Sequence, residues 1–375
     1  MFLEKRFISM KQILAITLAL CLLLCGCGAK TEPAPTEAVP VTEATTAPET
    51  QPTVEETVPE TTEPAPAYFN PLNGEPLDEP YTGRIFAVTI SNIHDALPHY
   101  GTMEADILME MFVNHSIIRD LALYTDVSKA EAIGSVRSDR LMFNQIAKHY
   151  DAIIADAAGS DQVLNDARNK NVNRLMIDTS GTTDYSVRNT KRAFTFQPES
   201  KYEHSLFAKG PGLVEYAKQK GFSVTQPEGK EYNLRFKEDG TPADGETANK
   251  VTVSFTFRGS KKDTAMVYDA ALGKYVYNQY GKAMVVGDTQ DPECFTNVIV
   301  MLADITRDSI YHTANFVNGG TGFYACGGKI IPIFWGADDE TSPFWFKTAD
   351  GAPLELGVGN TYMAIAPQDS PVTFE

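Results

Sequence analysis

Residues 105–125 read ADILMEMFVNHSIIRDLALYT. The stretch holds two β-rich apolar runs, Ala105 to Val113 and Ile117 to Thr125, each short enough for a buried strand rather than a helix. Upstream, Ile85 to Ser91 has the same texture, and downstream so does Asp151 to Ala157. Helical spacing appears between them. Leu141 to Tyr150 sets Met142, Ile146 and Tyr150 on one face, with Phe143 and Ala147 beside them. Ser160 is an N-cap residue type ahead of a helix running to Lys170. Pro211 near the start and Gly221 past the end bracket a third helix. Strands and helices therefore alternate over residues 68–222, and an α/β domain is expected there.

The texture changes beyond a polar segment, 223–250, that holds Pro227, Gly229, Gly240, Pro242 and Gly245 and is expected to connect two domains. Val251 to Phe257 alternates, and short runs recur near Tyr275, Met284, Val298, Tyr311, Phe323 and Ile330. Glycine turns such as Gly319-Gly320 and Gly327-Gly328 punctuate them, and no helical stripe stands out. Residues 251–375 are expected to form a mostly β domain, sandwich or barrel-like. The fold class is thus α+β overall: an N-terminal α/β domain followed by a mostly β C-terminal one.

Ahead of both lies a segment of another kind. Lys5, Arg6 and Lys11 precede the apolar run Ile13 to Leu24, the layout of a secretory signal and too short to span a bilayer comfortably. The run ends Leu24-Cys25-Gly26-Cys27, a branched apolar residue and small ones before a thiol, as lipid attachment at Cys27 requires. Residues 1–26 are read as a lipoprotein signal peptide, and residues 27–67 as a lipid-anchored linker. From 31 to 67 the linker is almost wholly Thr, Glu, Pro, Ala and Val, with glutamates at 32, 37, 43, 49, 55, 56, 60 and 63 and no basic residue. So little apolar surface cannot offset ordering entropy, and disorder is expected. The chain carries a formal charge of −17 and no long basic run, which argues against nucleic acid as a partner. After Cys27 only Cys294 and Cys326 remain, a candidate disulfide in an oxidising compartment.

Chemistry is sought first in IGSVRSDR, residues 133–140. Ser138 is read as the N-cap of the helix that follows, whose N-terminus offers free N–H groups and the positive dipole end. Arg137 and Arg140 flank it, each able to grip a carboxylate or phosphate bidentately. Against this stands the plainer reading that the arginines pair with Asp139, Asp120 or Glu110 and fasten the domain. A second strand–loop–helix junction, Asp156 to Ser160, is expected to converge on the same crevice. Arg137, Ser138, Arg140, Asp156, Gly159 and Ser160 form the candidate anion site. A nucleophilic triad of Ser138 or Ser160 with His204 and Asp156 is weighed and set aside, because no nucleophile elbow is present. No metal site is assigned: His94 and His99 lie five apart in a loop, and Asp338-Asp339-Glu340 lacks calcium-loop spacing. Trp335, Phe344, Trp345 and Phe346 suit either a core or a sugar-stacking surface.

The segments NPLNGEPL from Asn70, EADILMEMFV from Glu104, IGSVRSDR, YDAIIADAAGS from Tyr150 and YEHSLF from Tyr202 resemble the N-terminal domain of the YerB-like lipoproteins, a family built on two domains of unknown function. NVIVMLAD from Asn297 and DGAPLELGVGNTYMAIAP from Asp350 extend the resemblance through the second half. It implies fold, domain order and a surface location, and no activity. Relatives usually carry His at the position of Asp156, a second Gly at Ala158, and Asn after the His that matches His204, where this chain has Ser205. His204 joins the ligand-binding candidates on that ground. The expected function is a non-catalytic binding or scaffold protein of the cell envelope, membrane-held through its lipid, with a cell-wall polymer or envelope protein as partner and no cofactor. The alternative is a cell-wall hydrolase or transferase using acids such as Glu110 and Asp156.

Overall fold

Eleven strands drawn from both halves of the chain form one mixed sheet. The computed structural model describes residues 66–177, 181–191, 202–257, 259–287, 289–306 and 310–375, so the leader, Cys27 and nearly all of the linker lie outside the described residues. Ile107–Asn114 and Ile117–Tyr124 pair antiparallel, and Phe86–Ser91 pairs antiparallel with the second of them. Ile153–Asp156 and then Arg174–Met176 continue the sheet in parallel. On the other side of Ile107–Asn114 lies Thr361–Pro367, parallel to it, with Thr361 opposite Ile107 and Ile365 opposite Met111. Asn297–Ala303 follows in parallel, then Gly320–Cys326, Lys329–Gly336 and Trp345–Thr348 antiparallel.

Strand alternation gives this sheet two buried faces. Ile107, Met109, Met111 and Val113 point to one face and meet helix α1 (Leu141–Tyr150) through Met142, Phe143, Ile146 and Tyr150. Leu108 and Phe112 point to the other, where a six-stranded antiparallel sheet packs through Val251, Val253, Phe255 and Met266. Phe112 and Phe255 meet edge to face at 5.8 Å across that interface. Helix α2 (Asp161–Asn169) and helix α3 (Gly210–Gln219) complete the α-helical content of the described residues.

The molecule is β-rich, with its three described α-helices where the spacing of 141–150, the Ser160 cap and the Pro211–Gly221 bracket put them. Its second half is not a self-contained sandwich or barrel. Lys250–Phe257, Ser260–Asp269 and Lys274–Gln279 build the small sheet, whereas Asn297–Ala303 and Thr361–Pro367 complete the large one begun by the first half. Glu63–Glu375 is accordingly one compact unit.

The candidate Cys294–Cys326 disulfide is absent: both cysteines are buried free thiols. Cys294 pairs opposite Val276 in the small sheet, while Cys326 ends a strand of the large one with its thiol against Tyr324 and Thr241. Burial raises the pKa of both thiols, which keeps them protonated and unreactive.

Candidate functional site

The 137–140 loop is laced to the ends of two parallel strands. The Arg137 N–H donates to the Thr89 carbonyl at 3.1 Å, and the Ala157 N–H donates to the Arg137 carbonyl at 3.0 Å. The Asp139 N–H donates to the Ala158 carbonyl at 2.7 Å. The two strand–loop–helix junctions therefore do meet. They bound a hollow of about 260 Å³ lined by Arg137, Ser138, Ala157, Ala158, Arg188 and Tyr202, among others.

Of the expected site residues, Arg137 and Ser138 line this hollow, and the rest have other surroundings. Ser138 does not cap α1; the N-cap position is Arg140, and no side chain caps that helix. Ser160 is spent on α2, its Oγ accepting from the Val163 N–H at 3.5 Å. Gly159 keeps room for Leu164, whose Cδ2 lies 2.7 Å from where a β-carbon would sit. Asp156 is fully buried, 2.6 Å from Nη2 of Arg174, whose Nε lies 3.0 Å from the equally buried Asp139. Burial pushes Asp139 up to about 7 and Asp156 well above the carboxylate range, the charge of Asp139 adding to the rise of Asp156, while Arg174 draws both back down. His204 is buried, with Nε2 3.2 Å from the Glu203 carboxylate. Arg137 donates to the Glu203 carbonyl at 2.5 Å and lies 3.9 Å from its carboxylate.

On the flank of the loop that faces Asn114 and Tyr311, Arg140 meets Arg119, a residue that sequence reasoning missed. The Arg119 guanidinium is buried and donates to the Ser138 carbonyl at 2.5 Å. Arg140 donates to the Asp139 carbonyl at 2.6 Å and to Oδ1 of Asn114 at 3.3 Å, and lies over the Tyr311 ring at 5.7 Å. Among the described residues neither arginine has a carboxylate within ion-pairing distance. Asp139 is held by Arg174, and Asp120 faces elsewhere. Burial first, then the charges of Arg140 and Arg137, pull Arg119 well below the usual guanidinium range. The Asp139 carboxylate offsets part of their charge, and two guanidiniums this close, at a helix N-terminus without a side-chain cap, are a place for an anion. The available signal was a charged residue inside the apolar run IIRDLALY.

Of the two acids of the enzymatic alternative, Asp156 is held by Arg174 beside the loop, and Glu110 occupies a closed layer between the sheets. Glu110 and Asp120 are cross-strand partners, both fully buried. Glu110 accepts from Lys262 at 2.6 Å, Thr264 at 3.0 Å, Tyr277 at 3.1 Å and Tyr362 at 2.5 Å. His99, expected in a loop, is fully buried between Glu293 at 3.0 Å and Asp120 at 3.5 Å. A substrate could reach these groups only by prising the packed sheets apart.

Alternation sorts the aromatic residues. Trp335, Phe344 and Phe346 are core, while Trp345 is half-buried and borders a groove.

Two stacked sheets, a helix-covered outer face and an arginine-bearing loop at the ends of parallel strands define a β-rich protein without an open catalytic cleft at its buried acids. By sequence it belongs to the family described as protein of unknown function (DUF3048), whose N-terminal domain matches residues 72–223 and whose C-terminal domain matches residues 251–363. It is similar to "Putative lipoprotein YerB" of Bacillus subtilis (strain 168), 25% identical over 308 residues that cover 79% of this chain and 86% of that one. The crystal structure of the Bacillus subtilis YerB protein has the same fold, with a TM-score of 0.68 at 21% identity, covering 81% of this chain and 99% of the other. Among the described residues no helix is long and apolar enough to cross a membrane.

Proposed function

We propose that this chain is a lipid-anchored, non-catalytic binding protein of the cell envelope, and that it holds an anionic group between Arg119 and Arg140. One observation carries the reading: two guanidiniums meet at the start of α1, which has no side-chain cap, and neither has a carboxylate within ion-pairing distance among the described residues. A phosphate or carboxylate there would accept from both forks and from the first-turn N–H groups. A cell-wall polymer or another envelope protein would present it. The anchor is supported by the sequence around Cys27 and by the description of the relative as a lipoprotein. With Glu110 ion-paired in a closed layer and Asp156 buried against Arg174, binding fits better than hydrolysis.

The anchor is tested by changing Cys27 to Ala and following membrane fractionation and palmitate labelling; a variant that still takes up lipid refutes it. The anion site is tested by titrating the full chain with inorganic pyrophosphate. Binding should weaken as salt rises. Arg140→Lys should weaken it about tenfold, because lysine keeps the charge but not the fork. Equal binding by wild type, Arg140→Lys and Arg119→Gln would place the anion elsewhere.

A further inference from the structure

The edge of the large sheet carries a second surface that the arginine loop does not touch. Lys329–Gly336 and Trp345–Thr348 pair antiparallel, with Gly336 opposite Trp345 and Phe334 opposite Lys347. Partners opposite one another share a face, as do residues two apart. Trp335 and Phe346 therefore point into the core, and Phe334, Trp345 and Lys347 point out. Gly336 lets the indole lie flat on the neighbouring strand: a β-carbon there would sit 2.6 Å from Cζ2 of Trp345. The ring borders a groove of about 840 Å³ whose other walls include Tyr68 and Phe69, 41% and 53% exposed. It also borders a second hollow, of about 630 Å³, with Phe334, Asn318 and Gln368.

The charge of the groove is opposite to that of the chain. Lys230, Arg235 and Lys347 line it, against the single acid Glu231, on a protein of net charge −17. None of the three cations has a carboxylate within ion-pairing distance among the described residues. Lys347 instead lies over the Trp345 ring at 4.6 Å, and Lys230 donates to the His149 carbonyl at 3.0 Å. Fixed aromatic faces beside such cations, with carboxamides in the adjoining hollow, match a ligand that has flat apolar faces, hydroxyls and negative charge.

We infer that this groove binds an acidic glycan, its sugar rings stacked on Trp345, Tyr68 and Phe69 and its acid groups paired with Lys230, Arg235 and Lys347. The site shares no residue with the Arg119–Arg140 pair, so either can fail without the other.

The test uses the full chain in detergent with fluorescent oligogalacturonate as probe, neutral maltodextrin and poly-glutamate as comparators, and a salt series. Oligogalacturonate should bind, less tightly as salt rises. Trp345→Ala should weaken it about tenfold, the order of one lost stacking contact. Gly336→Ala keeps every side chain of the groove but displaces the indole, and should give a similar loss with the thermal transition retained. Lys347→Gln with Arg235→Gln should flatten the salt dependence. No binding of oligogalacturonate, equal binding of poly-glutamate, salt-insensitive binding of maltodextrin, or indifference to both Trp345→Ala and Gly336→Ala would each overturn the assignment.

Discussion

Arg174 holds Asp139 and Asp156 at once, and His99 stands between Asp120 and Glu293; both arrangements store protons inside the protein. Burial raises Asp120 from 3.8 to about 8. For His99 burial works downward, but the Glu293 carboxylate overrides it and the imidazole is raised. In each case the folded chain keeps a proton that the unfolded chain releases. The contribution of Asp120 is therefore fully present below 3.8 and lost as pH rises through about 8, and that of His99 is lost as pH rises through its raised value. The melting temperature should fall from about pH 5 to about pH 8. Asp120→Asn, which mimics the protonated acid, should make that decline shallower; an unchanged slope would mean that Asp120 is ionised in the folded state. At this scale the sequence was partly legible. Arg137 and Arg140 stand in a loop between a strand and a helix, where periodicity exposes them. Arg119 and Arg174 sit within strands, and only the folded register brings them to the loop.

Among the elements, Thr361–Pro367 matters most, because it is buried along its whole length between two parallel neighbours. Its run TYMAIAP reads as apolar from end to end, as a central parallel strand does. Period and composition identify such a strand but say nothing of its partner. Ile107–Asn114 lies some 250 positions upstream, and no local feature points to it. The helices were legible for the opposite reason, since their spacing, caps and flanking glycine are local. The same ladder bears on how the halves come apart. Glu228 and Gly229 sit in an exposed turn, with nothing within 4 Å of a β-carbon built at Gly229. A protease site placed there should be cut readily, yet the two fragments should co-elute on gel filtration and separate only in denaturant. Separation in native buffer would mean that the ladder alone does not hold the halves together.

For the whole molecule, the two sheets enclose a layer in which every acid named has a hydrogen-bond or ion-pair partner, while cations without a carboxylate collect at the loop and along the edge groove. The acidic chain thus carries its local positive potential at the loop and along the edge groove. The mid-sheet place of Thr361–Pro367 has a further consequence in time. A chain that emerges N-terminus first, from a ribosome or an export channel, delivers Ile107–Asn114 and Asn297–Ala303 well before the strand that joins them. Both must wait with open edges until Thr361–Pro367 has emerged, so this part of the sheet cannot close before then. Premature termination between residues 303 and 361 would leave a product with two raw apolar edges, exposed to degradation by the lack of its keystone.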